Sequence, residues 1–244
     1  MKSVTILKTE ISVTSVDEVS ALLTTQKNLL VAVCNVNTLV SCYKNKGLNK
    51  IINSFDIKCP DGFPVAKSSK LLYKNQQNRV DGYNLIYETI KKGLDNNTSH
   101  YFFGNTDKVT SLMISKLKIE FPTINILGYA CPPVLNAENL SSDNYINDLK
   151  SKNPDIVWVS LGFPKQEQFI NKIKDDINLD ANLIGIGAVF EWVAGTKIKA
   201  PEFLANIGLE WIFRLIQEPK RLFRRYLIDN FLFIIYFTRQ YLRK

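Results

Sequence analysis

Apolar residues in this chain come in short continuous runs, each followed by a turn residue and then by a stretch with helical spacing. The runs at 28–34, 101–103, 124–127, 156–161 and 182–186 are rich in Val, Ile, Leu and Phe. Runs of this kind predict strands buried on both faces of a parallel sheet. Phe55-Asp56-Ile57 reads as one more short strand, and residues 5–13 alternate enough for an early strand or hairpin arm. Helices are predicted from Ser15 to about Leu23, over 38–43 and 48–54, from about Val65, over 84–92, from Thr106 through Leu117, and over 143–152 and 165–174. Ser15 followed three residues on by Glu18 has the form of a capping box. Strand, glycine and capped helix in repetition predict an α/β fold, a Rossmann-like, mostly parallel sheet flanked by helices. The loop at 96–99 is a soft boundary between two halves of one core, and there is no internal repeat.

The pattern changes after Ile207. Residues 209–215 read as an amphipathic helix, and Pro219 breaks it or opens the next helix at its first turn. The apolar run at 231–237 is too short for a membrane span, which takes ~20 residues. Two readings stand side by side: a basic helix lying in a membrane interface, or a C-terminal helix docked on the core. The expected organisation is an α/β core over 1–207 and a basic amphipathic helical appendage over 208–244.

Charge sharpens the reading of the tail. The net charge is +8, and between Glu210 and Lys244 eight Lys and Arg stand against three acids. That clustering points to a phosphate-bearing partner and favours an anionic membrane surface for the appendage. Nucleic acid is not expected, because the tail's basic residues alternate with bulky apolar ones instead of lining a polar face. The 244 residues suffice for one good core plus an appendage. Cys34, Cys42, Cys59 and Cys131 show no metal spacing and read as small buried hydrophobes of a reducing compartment. His100 is the single histidine, which leaves little for a zinc site or a His-based triad. No apolar leader follows Met1, so a cytoplasmic location is expected.

Candidate chemistry gathers at the predicted strand ends. Gly104, Gly162 and Gly187 each close a strand before a helix, the setting of an anion-binding sheet edge. Gly185-Ile186-Gly187-Ala188-Val189-Phe190 begins like a dinucleotide fingerprint and fails at Phe190, where a third small residue is needed. There is no P-loop and no Asp pair at i, i+2, so no metal and no cofactor is expected, and cations must neutralise any diphosphate. Pro60-Asp61-Gly62 places a carboxylate in a sharp turn after a strand; its plainer reading is an Asp bonding its own backbone. In Gly162-Phe163-Pro164-Lys165-Gln166-Glu167, Lys165 sits against the dipole of the helix it opens, which suggests an anion or sugar to hold.

These motifs, together with Asn35, Arg79-Val80-Asp81-Gly82, Ala194-Gly195, Ala200-Pro201, residues 209–214 and residues 218–224, occur in an order that resembles the WecG/TagA/CpsF glycosyltransferases, glycosyltransferase family 26. The likeness covers roughly 29–225. It implies a bacterial, inverting, metal-independent enzyme. Such an enzyme moves an N-acetylhexosamine-type sugar, such as N-acetylmannosamine or its uronic acid, from a UDP-sugar to a polyprenyl-diphosphate-linked acceptor in cell-surface polysaccharide synthesis, teichoic acid and capsule among them. It implies Asp61 as base, with Arg79 and Gln166 beside it. Asn35, Gly104, Lys165, Gly187, Arg214, Arg221 and Arg224 are the expected substrate-binding set, and the appendage is expected to close the site on the inner face of the cell membrane. A homo-oligomer is compatible with this reading. Val33, Glu191 and Lys199 stand where the family often has Thr, Asp and Arg, which bears on donor and acceptor identity. The competing readings are a nicotinamide-dependent oxidoreductase and a non-catalytic scaffold of a polysaccharide assembly complex.

Overall fold

The computed structural model describes residues 1–133, 143–176 and 179–243. An antiparallel hairpin, β1 (Ser3–Ile6) and β2 (Thr9–Ser12), opens the chain. Then follow α1 (Val16–Thr25), β3 (Leu30–Cys34), α2 (Val36–Lys44), α3 (Lys46–Asn53), β4 (Ile57–Pro60), α4 (Phe63–Tyr73) and α5 (Gly82–Gly93). The next elements are β5 (Ser99–Gly104), α6 (Asp107–Glu120), β6 (Asn125–Ala130), α7 (Asp143–Lys152), β7 (Ile156–Ser160), α8 (Lys165–Asp176) and β8 (Asn182–Gly185). The chain closes with α9 (Val189–Ala194), α10 (Glu202–Asn206), α11 (Glu210–Gln217) and α12 (Pro219–Leu242).

Strands β3 to β8 form one sheet in the order β4-β3-β8-β7-β5-β6, and every pairing is parallel. Alternation sorts its side chains into two cores. Ala32, Cys34, Tyr101, Phe103, Val157, Val159 and Leu183 pack with α2, α3, α8 and the hairpin. Val31, Ile57, Cys59, Phe102, Ile156, Trp158 and Ile184 pack with α1, α5, α6 and α9. Burial on both faces explains why these strands read as unbroken apolar runs. His100 lies inside the second face: the Trp158 Nε1–H donates to its Nδ1 at 3.2 Å, and burial pulls its pKa down to about 4. It is a neutral core residue.

Two local readings change. Strand β4 begins at Ile57 and runs through Pro60, so Lys58-Cys59-Pro60 is strand rather than turn. Lys58 disguised it: a lysine inside a strand looks like a loop, yet this one is 5 % exposed, with its ammonium donating to the Phe55 carbonyl and to that of Asn53 at 3.4 Å. Pro60 is tolerated because β4 is an edge strand. At α1, Ser15 accepts from the Glu18 N–H at 3.1 Å, but the Glu18 carboxylate takes the Thr14 hydroxyl at 2.8 Å instead of closing a capping box. The reciprocal box is at α2, between Asn35 and Thr38.

The structure shows the docked reading of the tail. Helix α12 lies along α2 with Leu222 and Phe233 buried, Tyr236 stacked on Tyr43 at 4.3 Å, and Asn37 donating to Asp229 at 2.6 Å. Its other side leaves Phe223, Leu227, Phe231 and Ile234 exposed. Among the described residues no helix is long and apolar enough to cross a membrane.

Candidate active site

Parallel register brings five strand ends to one edge of the sheet. Cys34 is level with Pro60, Ala32 and Val159 with Gly185, and Gly104 with Ser160. The residues that follow these ends, Asn35, Asp61, Ile186 and Leu161 among them, therefore emerge together.

Asp61 leaves β4 with its N–H bonded to the Cys34 carbonyl at 2.9 Å. Among the described residues no hydrogen bond holds its carboxylate, and α4 is capped by Gly62 (φ 82°) without a side-chain bond. The plainer reading of the Pro-Asp-Gly turn thus fails on geometry. The second Asp-Gly turn behaves differently. The Val80 N–H reaches the Pro60 carbonyl at 2.9 Å, which draws this turn beside the first. Asp81 caps α5, accepting from the Asn84 N–H at 3.1 Å and the Asn84 Nδ2 at 2.7 Å. It also meets Arg79 at 3.4 Å and Lys199 at 3.7 Å. Arg79 in turn donates to Glu210 of α11 at 2.9 Å, tying the appendage to the core.

Asp61 is therefore the carboxylate left uncommitted, and its surroundings raise its proton affinity. Burial is the main cause, with Glu210 and Asp81 adding to it; Arg79 and Arg214 work against them, and the pKa settles at about 7. Burial penalises the charged form and like charges penalise it further.

Gln166 has a supporting position. It is 3 % exposed, its Oε1 accepts the Gly187 N–H at 3.1 Å, and its Nε2 donates to Glu167 at 2.9 Å. A Cβ on Gly185 would come within 2.9 Å of that Nε2, so Gly185 is small to admit the amide. Phe190, which breaks the dinucleotide pattern, is buried edge-on against Phe102 at 5.6 Å. The glycines thus serve the Gln166 amide and the turn at Gly187 (φ 58°) rather than a pyrophosphate. The sheet edge is also less of an anion cradle than expected. The Gly187 N–H is taken, and Gly104 (φ 107°) is pressed so close to β7 that a Cβ would lie 2.5 Å from the Ser160 carbonyl oxygen.

Positive charge comes instead from the appendage. Arg214 lies over the Trp192 ring at 5.1 Å, and Arg221 and Arg225 are one turn apart on α12. All three line a cleft of about 760 Å³, counted to its open mouth, with Asn35, Asp61, Gln166, Gly187 and Glu210. Burial, with Arg214 and Arg221 nearby, depresses the Arg225 pKa, and its Nε has no partner among the described residues. Arg221 is held by Glu218, which also takes Lys197. A second hollow of about 640 Å³ shares Asn35, Asp61, Glu210, Arg214 and Arg225, and adds Phe63, Pro64, Trp211 and Tyr226. Together they have the size and mixed character of a small-molecule site.

Of the expected residues, Asp61, Gln166, Asn35, Gly187, Arg214 and Arg221 line this cleft. Arg79 stands behind it in the Asp81–Glu210 bridge, while Gly104, Lys165 and Arg224 do not line it. Arg224 is exposed and its neighbour Arg225 holds the inward position. Sequence reasoning missed Arg225, Glu210, Asp81 and Lys199 as cleft residues. The i, i+4 spacing of Arg221 and Arg225 was the available signal for the first. Among the described residues, no three His, Cys, Asp or Glu side chains converge as a metal-ligand set.

A sequence model of the Glycosyl transferase WecG/TagA/CpsF family matches residues 4–244. The N-acetylglucosaminyldiphosphoundecaprenol N-acetyl-beta-D-mannosaminyltransferase of Bacillus spizizenii is 30% identical over 202 residues, 80% of this chain and 74% of that protein. The Bacillus subtilis protein of the same name is 28% identical over 79% of this chain and 73% of its own length. That of Staphylococcus aureus strain MW2 is 26% identical over 89% and 83%. The nicotinamide reading has no support in these relatives, and with a match along nearly its whole length the chain belongs to the WecG/TagA/CpsF family of glycosyltransferases.

Proposed function

We propose that this enzyme transfers an N-acetylmannosamine-type sugar from a UDP-sugar to a polyprenyl-diphosphate-linked N-acetylglucosamine, with inversion at the anomeric carbon. The names of the relatives support the substrates. The observation that carries the chemistry is Asp61, a carboxylate of raised proton affinity that shares one cleft with Arg214, Arg221 and Arg225.

Asp61 takes the proton of the acceptor hydroxyl as that oxygen attacks the anomeric carbon. The bond from that carbon to the UDP oxygen breaks, and its electron pair leaves on the diphosphate. The arginines neutralise this charge, where fixed cations in a dry site act most strongly. Arg79 positions Glu210 and Asp81, and Gln166 positions the Gly185–Gly187 turn. Asn35 caps α2 with its Oδ1, and its Nδ2, unpartnered among the described residues, is free to donate to a ligand. The hollow lined by Phe63, Trp211 and Tyr226 suits the apolar part of the acceptor. The exposed apolar side of α12, flanked by Lys220 and Arg224, rests on an anionic bilayer at the inner face of the membrane.

The test is transfer from radiolabelled UDP-N-acetylmannosamine to lipid-linked N-acetylglucosamine. Asp61→Asn is expected to lose about 10²–10⁴-fold in turnover while donor affinity persists. Near-normal turnover in that variant would overturn the assignment of the base. Absence of transfer from UDP-N-acetylmannosamine and from its uronic acid alike would overturn the substrate reading.

A further inference from the structure

A second basic site lies away from the cleft, at the other end of α12. Between the hairpin, α2, the end of α4 and the end of α12 runs a groove of about 1120 Å³, counted to its open mouth. Lys8, Arg239 and Arg243 bring three cations to it, and among the described residues no carboxylate lines it. Arg239 and Arg243 are one helical turn apart, so both guanidinium forks reach the same side of the helix. At a rise of ~1.5 Å per residue, Arg239 stands about 27 Å along α12 from Arg221. The groove and the cleft are therefore separate sites.

The groove is built rather than incidental. Lys8 sits in the two-residue turn of the hairpin with φ 71°, next to Leu7 at 49°. Gln240 clamps that turn: its Oε1 accepts the Leu7 N–H at 3.0 Å and its Nε2 donates to the Thr5 carbonyl at 2.9 Å. The Tyr73 hydroxyl donates to the same carbonyl at 2.9 Å. The Lys8 ammonium is held 4.5 Å over the ring of Tyr43, which itself stacks on Tyr236. The lysine is thus positioned by an aromatic face rather than neutralised by an acid. Two guanidinium forks and an ammonium around one hollow match the oxygens of a phosphoryl group. Tyr241, Leu242 and Ile234 are exposed on the adjoining turns of α12, so the ligand's surroundings include an apolar surface. We propose that the Lys8–Arg239–Arg243 groove binds a phosphoryl anion, the headgroup of an anionic phospholipid. It would give the protein a specific lipid contact distant from the diphosphate site. The inference deepens the proposal that α12 rests on an anionic bilayer; the groove is tested by lipid monomers, and bilayer attachment separately by vesicle sedimentation.

The test is calorimetric titration of the full chain with short-chain phosphatidylglycerol below its micelle concentration, with short-chain phosphatidylcholine, and with inorganic phosphate. The Lys8→Ala/Arg239→Ala/Arg243→Ala variant alters exposed side chains and is expected to fold. Saturable binding of phosphatidylglycerol is expected to weaken on the order of 100-fold in this variant. It should persist in Lys108→Ala/Lys118→Ala, which changes two exposed cations on α6, and in the cleft variant Arg214→Ala/Arg221→Ala. Inorganic phosphate binding as well as the lipid, with the same sensitivity, would support the anion site and assign it to soluble phosphate esters. Weaker phosphate binding would assign it to the lipid headgroup. Equal affinity of the groove variant and the wild type, loss of binding in the cleft variant instead, or no saturable binding at all would overturn the proposal.

Discussion

Asp61 and Asp81 each precede a glycine near the same sheet edge, and their hydrogen bonds separate their roles. Asp81 is spent on a helix cap and two cations, whereas among the described residues no hydrogen bond or ion pair holds the Asp61 carboxylate. The raised pKa of Asp61 has consequences of opposite sign for activity and stability. As a base it works ionised, so turnover should climb as pH rises through about 7, measured as kcat/KM against pH. The folded state prefers the protonated carboxyl. Its contribution to stability is complete below the ordinary value of 3.8 and is lost as pH rises through about 7. Asp61→Asn removes that penalty. It should melt like the wild type near pH 4 and above it at pH 8, by about 4 kcal/mol or roughly 8–16 °C. An unchanged Tm difference across that range would show that Asp61 is not held at raised proton affinity. Gly185→Ala tests the support beneath the site. Its Cβ would meet the Gln166 amide at 2.9 Å, so a destabilisation of about 1–3 kcal/mol is expected together with lost turnover. Gln166→Ala combined with Gly185→Ala should regain stability but not activity, as read by melting and transfer assays.

Helix α12 both docks on the core and carries cations to the cleft. Its inner side buries Leu222 and Phe233, and its first turns bring Arg221 and Arg225 over the strand ends. Docking of the helix and placement of the arginines are thus one event. Phe233→Ala is expected to remove about 3 kcal/mol of packing. Hydrogen exchange should rise along α12 before it rises in the sheet, because the helix can leave without unfolding β3 to β8. Uniform exchange across helix and sheet would show that the two open only together. The Arg79–Glu210 pair holds α11 in the same way. Glu210→Gln should lower the Asp61 pKa, since it removes a neighbouring negative charge, and shift the rising limb of the pH–rate profile to lower pH.

For the whole molecule, the sheet edge supplies Asp61 and the last two helices supply Arg214, Arg221 and Arg225, so neither part alone lines the cleft. A chain ending after Ile207 is expected to keep its parallel sheet by circular dichroism, lose transfer, and no longer sediment with anionic vesicles. A truncated chain that still sediments would place the membrane contact on the core. Strand runs, glycine-closed strand ends and a basic helical tail were legible in the amino-acid order because burial on both faces and helical periodicity are local signals. So was the resemblance, carried by Pro60-Asp61-Gly62, Arg79-Val80-Asp81-Gly82 and the motif around Gln166. Lys58 hid part of β4, because a buried lysine satisfied by backbone carbonyls carries no pattern. Only tertiary structure decided which Asp-Gly carboxylate stays free, since that depends on the Asn84, Arg79 and Lys199 contacts of Asp81. The inward arginine was settled the same way: the face of α12 that meets α2 turns Arg225, and not Arg224, toward the cleft. The amino-acid order set the elements and their chemistry through neighbours a few residues apart. Charge, burial and hydrogen bonding between residues more than a hundred positions apart, such as Arg79 and Glu210, made them one site.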